Sequence, residues 1–175
     1  MKLLIKNYFI YYLVMDENKK VICKISRKSL LSIKRKVHNS TVVITTDIMN
    51  KEIPEENSVF NEGQRYIAYD TNDQSKVIAT ASLFYKSCDR KPTYINRLPD
   101  PDSLIIQSIY GEFMIRNSGR GRYPIYHKSK LVGSLKCFSH TSFYISKNEI
   151  QDPFFIAVLF VFINYMDQES DFLIV

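Results

Sequence analysis

Cysteine and histidine are scarce in this chain, with 3 of each among 175 residues. Cys23, Cys88 and Cys137 are odd in number, far apart and outside any C-x-x-C spacing, which excludes a disulfide framework and a zinc ribbon. Unpaired thiols suit a reducing compartment, so a cytoplasmic protein is expected. His38, His127 and His140 stand in unrelated settings, and neither G-x-S-x-G nor H-E-x-x-H occurs. Cys137 and His140 are near neighbours, but two ligands do not complete a zinc site, and they read as a strand-end thiol and a loop imidazole. Nothing brings a nucleophile, a base and an orienting group together. No catalytic residue, metal or cofactor is therefore assigned, and the expected protein is not an enzyme.

Glycine is also rare. There are 5 glycines against 12 Tyr and 11 Phe, and aromatic and β-branched residues favour pleated sheet over a helical bundle. At 45% hydrophobic the chain can bury one core of ordinary size, so one domain over residues 1–175 is expected. Acidic residues are in deficit, 18 against 24 basic, for a net charge of +6 and a pI near 9.1. Such a field attracts phosphates on nucleic acid or on anionic lipid. No nucleic-acid-binding signature accompanies it, so nucleic acid is not an expected partner. The apolar start, Met1 to Met15, is interrupted by Lys6 and Asn7, and no small-residue cleavage site follows; it reads as a first strand.

What the chain has in quantity is hairpins. Tyr8 to Met15, the polar turn Asp16–Lys20 and Val21–Ile25 form one. Arg65–Tyr69, a turn over Asp70–Lys76 and Val77–Leu83 form a second, and Tyr123–Tyr126, His127–Lys130 and Leu131–Leu135 a third. In each, turn-forming residues separate strand-length runs of β-formers. Further strands are predicted at Thr41–Thr46, Ser103–Tyr110, Glu112–Arg116 and Thr141–Ser146. Apolar residues on both faces of Leu104–Tyr110 predict a strand covered on both sides. Proline at 92, 99 and 101 predicts a crossover loop over about residues 86–102, and Asn50–Gln64 reads as an exposed loop. Irregular spacing excludes a solenoid, leaving one sheet that closes on itself or folds into a sandwich.

Asp152 and Pro153 carry the strongest start signal: the carboxylate caps a first turn, and proline at the next position loses no hydrogen bond. From Phe154 to Ile163 no residue is polar, so this helix must be surrounded by protein or by lipid. Read from Pro153 to Met166 it spans roughly 21 Å, short of the ~30 Å hydrocarbon core, and acids stand at both ends. The helix is expected inside the protein, with a closed β-barrel as the simplest container.

The Asp16 and Asp70 hairpins, the Ile125–Leu135 hairpin, and Asp152–Met166 followed by Asp171–Val175 together resemble the tubby C-terminal-like superfamily. That superfamily includes tubby proteins, phospholipid scramblases and the LURP-one-related group of plants and bacteria. The resemblance covers nearly the whole chain. It implies a mainly β fold, a closed antiparallel barrel of about twelve strands around a buried C-terminal apolar helix. Because tubby binds phosphoinositides, it also implies a phospholipid-binding role.

Basic residues concentrate at Arg116, Arg120, Arg122, His127, Lys128 and Lys130, and again at Arg27, Lys28, Lys34, Arg35 and Lys36. Asn117–Arg122 has the glycines of a phosphate-cradling loop but lacks the G-K-[ST] ending, and is read as a turn in which Gly119 and Gly121 supply positive φ. The candidate anion- or lipid-binding residues are Arg116, Arg120, Arg122, Lys128 and Lys130. The expected function is a non-catalytic, monomeric binding module, cytoplasmic and peripheral at the inner membrane surface, taking anionic phospholipid or phosphoinositide. The alternatives are a protein-interaction or structural domain, and a scramblase-like membrane activity anchored by the C-terminal helix.

Overall fold

A computed structural model describes residues 1–27, 32–49, 62–86, 101–137, 141–146 and 150–171. Twelve strands precede one helix: β1 Lys2–Tyr8, β2 Tyr11–Met15, β3 Val21–Arg27, β4 Arg35–His38, β5 Val43–Met49, β6 Glu62–Asp70, β7 Val77–Tyr85, β8 Pro101–Ser108, β9 Gly111–Arg116, β10 Arg122–His127, β11 Lys130–Cys137, β12 Thr141–Ser146 and α1 Pro153–Asp171. Every strand pairs antiparallel with its neighbours in sequence, and β1 closes on β12, with Leu4 opposite Phe143. The result is the closed antiparallel barrel around a buried helix that capping and apolarity predict.

Closure follows from what α1 needs. Every residue from Phe155 to Ile163 is buried. The wall contacts it on several sides: Phe155 meets Phe113 of β9 at 5.4 Å, Phe160 meets Tyr12 of β2 at 5.2 Å, and Phe162 meets Tyr66 of β6 at 5.9 Å between ring centroids. Alternation makes the wall, with Leu3 and Ile5, Cys23 and Ile25, Leu104 and Ile106, and Phe113 and Ile115 all pointing inward. Ala68, Ala79 and Ala81 leave room on β6 and β7 for the large helix side chains. Gly133 on β11 leaves room for the ring of Tyr144 on β12, which an added Cβ would meet at 2.9 Å.

Several expectations need correction. Met1–Met15 is two strands joined at Phe9 and Ile10; Phe9 adopts φ 49° in a turn with no Gly, Asn or Asp to signal it. β8 is covered on its inner face alone: Ile105 and Ile109 are exposed because, among the described residues, no element packs on the outside of the closed sheet. β8 also begins at Pro101, opposite Tyr85, where the register shifts and no ladder N–H is required. It pairs with β7 directly, so the segment between them joins adjacent strands; residues 87–100 lie outside the described residues. Of the expected 50–64 loop, 62–64 belong to β6 and 50–61 are outside the described residues. β4 was not foreseen.

The helix runs five residues beyond Met166, to Asp171, and at about 28 Å its length no longer separates core from membrane. Burial by the sheet does, and no described helix is long and apolar enough to cross a membrane. Of the segment Asp171–Val175 that carries part of the resemblance, residues 172–175 lie outside the described residues.

Polar ties hold both helix ends. Asp152 accepts from the Phe154 N–H at 2.8 Å, the expected cap, and also from the Tyr110 hydroxyl at 2.5 Å. At the other end Tyr123 donates to Asp167 at 2.7 Å, and the Tyr165 hydroxyl meets the Thr46 hydroxyl at 2.9 Å and donates to the Ile33 carbonyl at 3.0 Å.

Two outcomes are expected from urea unfolding. Phe162→Ala should cost on the order of 3–5 kcal/mol, while Ile109→Ser, on an exposed turn, should stay within about 0.5 kcal/mol. Burial and the Asp152 carboxylate push the Tyr110 phenol up to about 12, and burial and Asp167 raise Tyr123 well above the ordinary phenol range. A group raised on folding stabilises fully below its unfolded value, about 10, and loses that contribution as pH climbs through its folded value. Stability should therefore decline from about pH 10 upward, and less steeply in Tyr110→Phe and Tyr123→Phe than in the parent chain.

Candidate functional site

In an all-antiparallel barrel of sequential strands, alternate connections fall at opposite ends. The links β1–β2, β3–β4 and β9–β10 share one rim with the C-terminal end of α1. The links β2–β3, β6–β7, β8–β9 and β10–β11 share the other with the helix start.

Asn117–Gly121 forms the β9–β10 link. Gly119, Arg120 and Gly121 take φ of 72°, 52° and 65°, so the expected glycine turn is present and Arg120 is held in a left-handed conformation between them. Asn117 Oδ1 accepts from the Gly119 N–H at 2.9 Å, Ser118 N–H donates to the Arg122 carbonyl at 3.0 Å, and Cys137 N–H donates to the Gly121 carbonyl at 2.7 Å. These bonds present Arg120 and Arg122 outward, both exposed. Arg116, exposed at the end of β9, lies over the Tyr126 ring at 5.9 Å.

Lys128 and Lys130 are exposed too, but they flank the β10–β11 turn. Arg122 opens β10 and the lysines follow its far end, so the length of that strand, roughly 16 Å at strand rise, lies between them. The five candidates therefore divide, three arginines on the first rim and two lysines on the second.

The other basic segment also divides. Lys28 lies outside the described residues, as do Cys88 and His140. Lys34 pairs with Asp47 at 2.6 Å, and Lys36 is exposed on the outer wall. Arg35 is 3% exposed: its position on β4 shares the inner face with Val37, so the pleat turns it into the barrel.

Two features of the first rim were not foreseen. The β1–β2 turn projects apolar side chains, with Phe9 91% exposed, Ile10 55% and Tyr8 42%. Tyr8 stacks on Tyr11 at 5.2 Å, and Lys24 sits 4.1 Å over the Tyr11 ring, so the turn has a stiffened base. Beside it a cleft of about 100 Å³ is lined by Ile5, Asn7, Tyr12, Cys137, Ser142 and Asn164, among others. The cleft's Cys137 thiol is pushed up to about 11 by burial, which leaves it protonated and unreactive at neutral pH. An exposed Phe between strand-forming residues carries no sequence signal of exposure, and only the turn position reveals it.

The architecture has a counterpart among solved structures. An X-ray structure of a protein from Arabidopsis thaliana matches with a TM-score of 0.58 and 14% sequence identity, covering 95% of this chain and 90% of that chain. That likeness is one of fold. No family model and no curated protein matches the chain.

An added Cβ at Gly121 would run into the Cys137 carbonyl oxygen, whereas one at Gly119 meets nothing within 4 Å. Gly119→Ala should then cost about 1–2 kcal/mol for its left-handed backbone alone, and Gly121→Ala clearly more, as read from urea midpoints.

Proposed function

We propose that the chain is a non-catalytic binding module of tubby-like, LURP-one-related type whose first rim docks on anionic lipid headgroups, phosphoinositides among them. The observation that carries this reading is one rim bearing both an exposed apolar turn, Phe9 and Ile10, and three exposed arginines, Arg116, Arg120 and Arg122. Going around the barrel, three strand spacings separate β1 from β10, about 14 Å, so one flat surface can meet both groups. The fold shared with the Arabidopsis protein is compatible with this reading.

Magnitudes explain why both groups are needed. Burying Phe9 and Ile10 contributes at most about 3–6 kcal/mol, and each arginine near anionic headgroups about 1 kcal/mol. Neither is a stable anchor alone, since lasting membrane attachment takes two signals. Lys128 and Lys130, at the far rim, take no part. A second reading, a protein-interaction or structural domain, is favoured by the outer wall, where Leu4 pairs with Phe143 and the exposed Phe143 and Ile145 share a face.

Flotation with phosphatidylcholine vesicles, with and without phosphatidylserine, tests the reading. The parent chain should float with the anionic vesicles only, less so as salt rises. Phe9→Asp and the Arg120→Glu/Arg122→Glu pair should each abolish flotation, while Lys128→Glu/Lys130→Glu should not. Equal recovery from both vesicle types would count against it, and protein partners retained by the Arg120→Glu/Arg122→Glu chain would favour the second reading.

A further inference from the structure

At the mouth of the barrel on the first rim, two arginines face each other across a ladder. Arg27 on β3 pairs directly with Arg35 on β4. Alternation puts Arg27 on the inner face with Cys23 and Ile25, and Arg35 on the inner face with Val37. Like charges directly opposite on one face of a sheet repel, and a buried cation ordinarily has a carboxylate beside it.

Here there is none among the described residues. Asp47, on the next strand, pairs with Lys34, and Asp167 accepts from Tyr123. What surrounds Arg35 is aromatic: its guanidinium carbon lies 6.0 Å from the Tyr12 ring centroid and 5.8 Å from that of Tyr165. Those π faces stabilise a cation without cancelling its charge. The Arg35 Nε is buried and meets no acceptor among the described residues. Burial, then Arg27, push the guanidinium below its ordinary range, but an arginine stays protonated in proteins. Tyr165 cannot donate to an incoming group, because its hydroxyl is engaged with Thr46 and Ile33. It fixes the β4–β5 wall that carries Arg35.

We infer that Arg27 and Arg35 form an inward-facing site at the barrel mouth for a phosphate-type oxyanion. A phosphate monoester has a charge near −2 that matches two guanidinia, and its oxygens can take the planar donor forks of both. Arg27 is half-exposed and marks the solvent side, while Arg35 forms the floor. Inorganic phosphate and a phosphate-bearing lipid headgroup share this chemistry. The site lies apart from Arg116, Arg120 and Arg122 and stands or falls without them.

The experiment is calorimetric titration of the full chain with inorganic phosphate at constant ionic strength, chloride replacing phosphate in the control. Its second arm compares vesicles containing phosphatidic acid with vesicles of equal charge containing phosphatidylserine. Saturable phosphate binding, weakened on the order of tenfold or more in Arg27→Gln, would support the site and a free oxyanion as ligand. Preference for phosphatidic acid that Arg27→Gln removes, with no phosphate binding, would support the same site reading a headgroup. Should Arg35→Gln fail to fold, Arg27→Gln still carries the test, since Arg27 is only half-buried. Phe9→Asp should leave phosphate titration unchanged even where it abolishes flotation, which separates this site from the docking rim. Absence of both phosphate binding and phosphatidic acid preference, or equal binding by Arg27→Gln, would overturn the inference.

Discussion

A helix with no polar side has to be covered on every side, and that requirement organises this molecule. Phe155 through Ile163 would expose apolar surface in any two-layer packing, because a flat sheet covers one face of a helix and leaves the other to water. A sheet that closes covers them all. Twelve strands do so here with inner residues of uneven size, alanines and Gly133 alternating with Tyr66, Tyr144 and Phe113, and the helix fills what the wall leaves. Each covers apolar surface that the other would leave to water, so helix and barrel are expected to fold as one unit.

The same enclosure sets the two ends apart. Where the helix begins, Asp152 serves both its own first turn and Tyr110; the β2–β3 and β6–β7 links there are polar turns in which Asp16, Asp70 and Asp73 accept from backbone N–H groups, while the β8–β9 link exposes Ile109. Where it ends, phenols of Tyr123 and Tyr165 tie it to the wall, and around it stand an apolar turn, exposed arginines and an inward arginine pair. The proposed docking surface is placed on that second end because an exposed apolar turn and exposed arginines stand on it together.

Much of the architecture was legible because its signals are local. Asp152–Pro153 marks a helix start by capping chemistry, and Asp16–Lys20, Asp70–Lys76 and His127–Lys130 mark turns by residue type. The features that escaped depend on position in the closed sheet. Phe9 and Ile10 are residues that normally continue a strand, and their turn is imposed by the pairing of Tyr8 with Tyr11. β4 is four residues long, two of them basic, too short and too charged for periodicity to register. The inward aim of Arg35 follows from register, as does the division of Arg116, Arg120 and Arg122 from Lys128 and Lys130. Sequence proximity grouped these five, and one strand length of β10 separates them. Apolarity alone places the helix end at Met166, five residues early, because the last turn is polar and lies where the barrel opens.

Amide hydrogen exchange of the intact chain in plain buffer tests the enclosure most directly. Backbone N–H groups from Ile156 to Ile163 should be the slowest in the protein, exchanging only through global unfolding. Rapid exchange there, slowed only when vesicles are added, would mean that lipid rather than the protein's own sheet covers the helix, and would contradict this account.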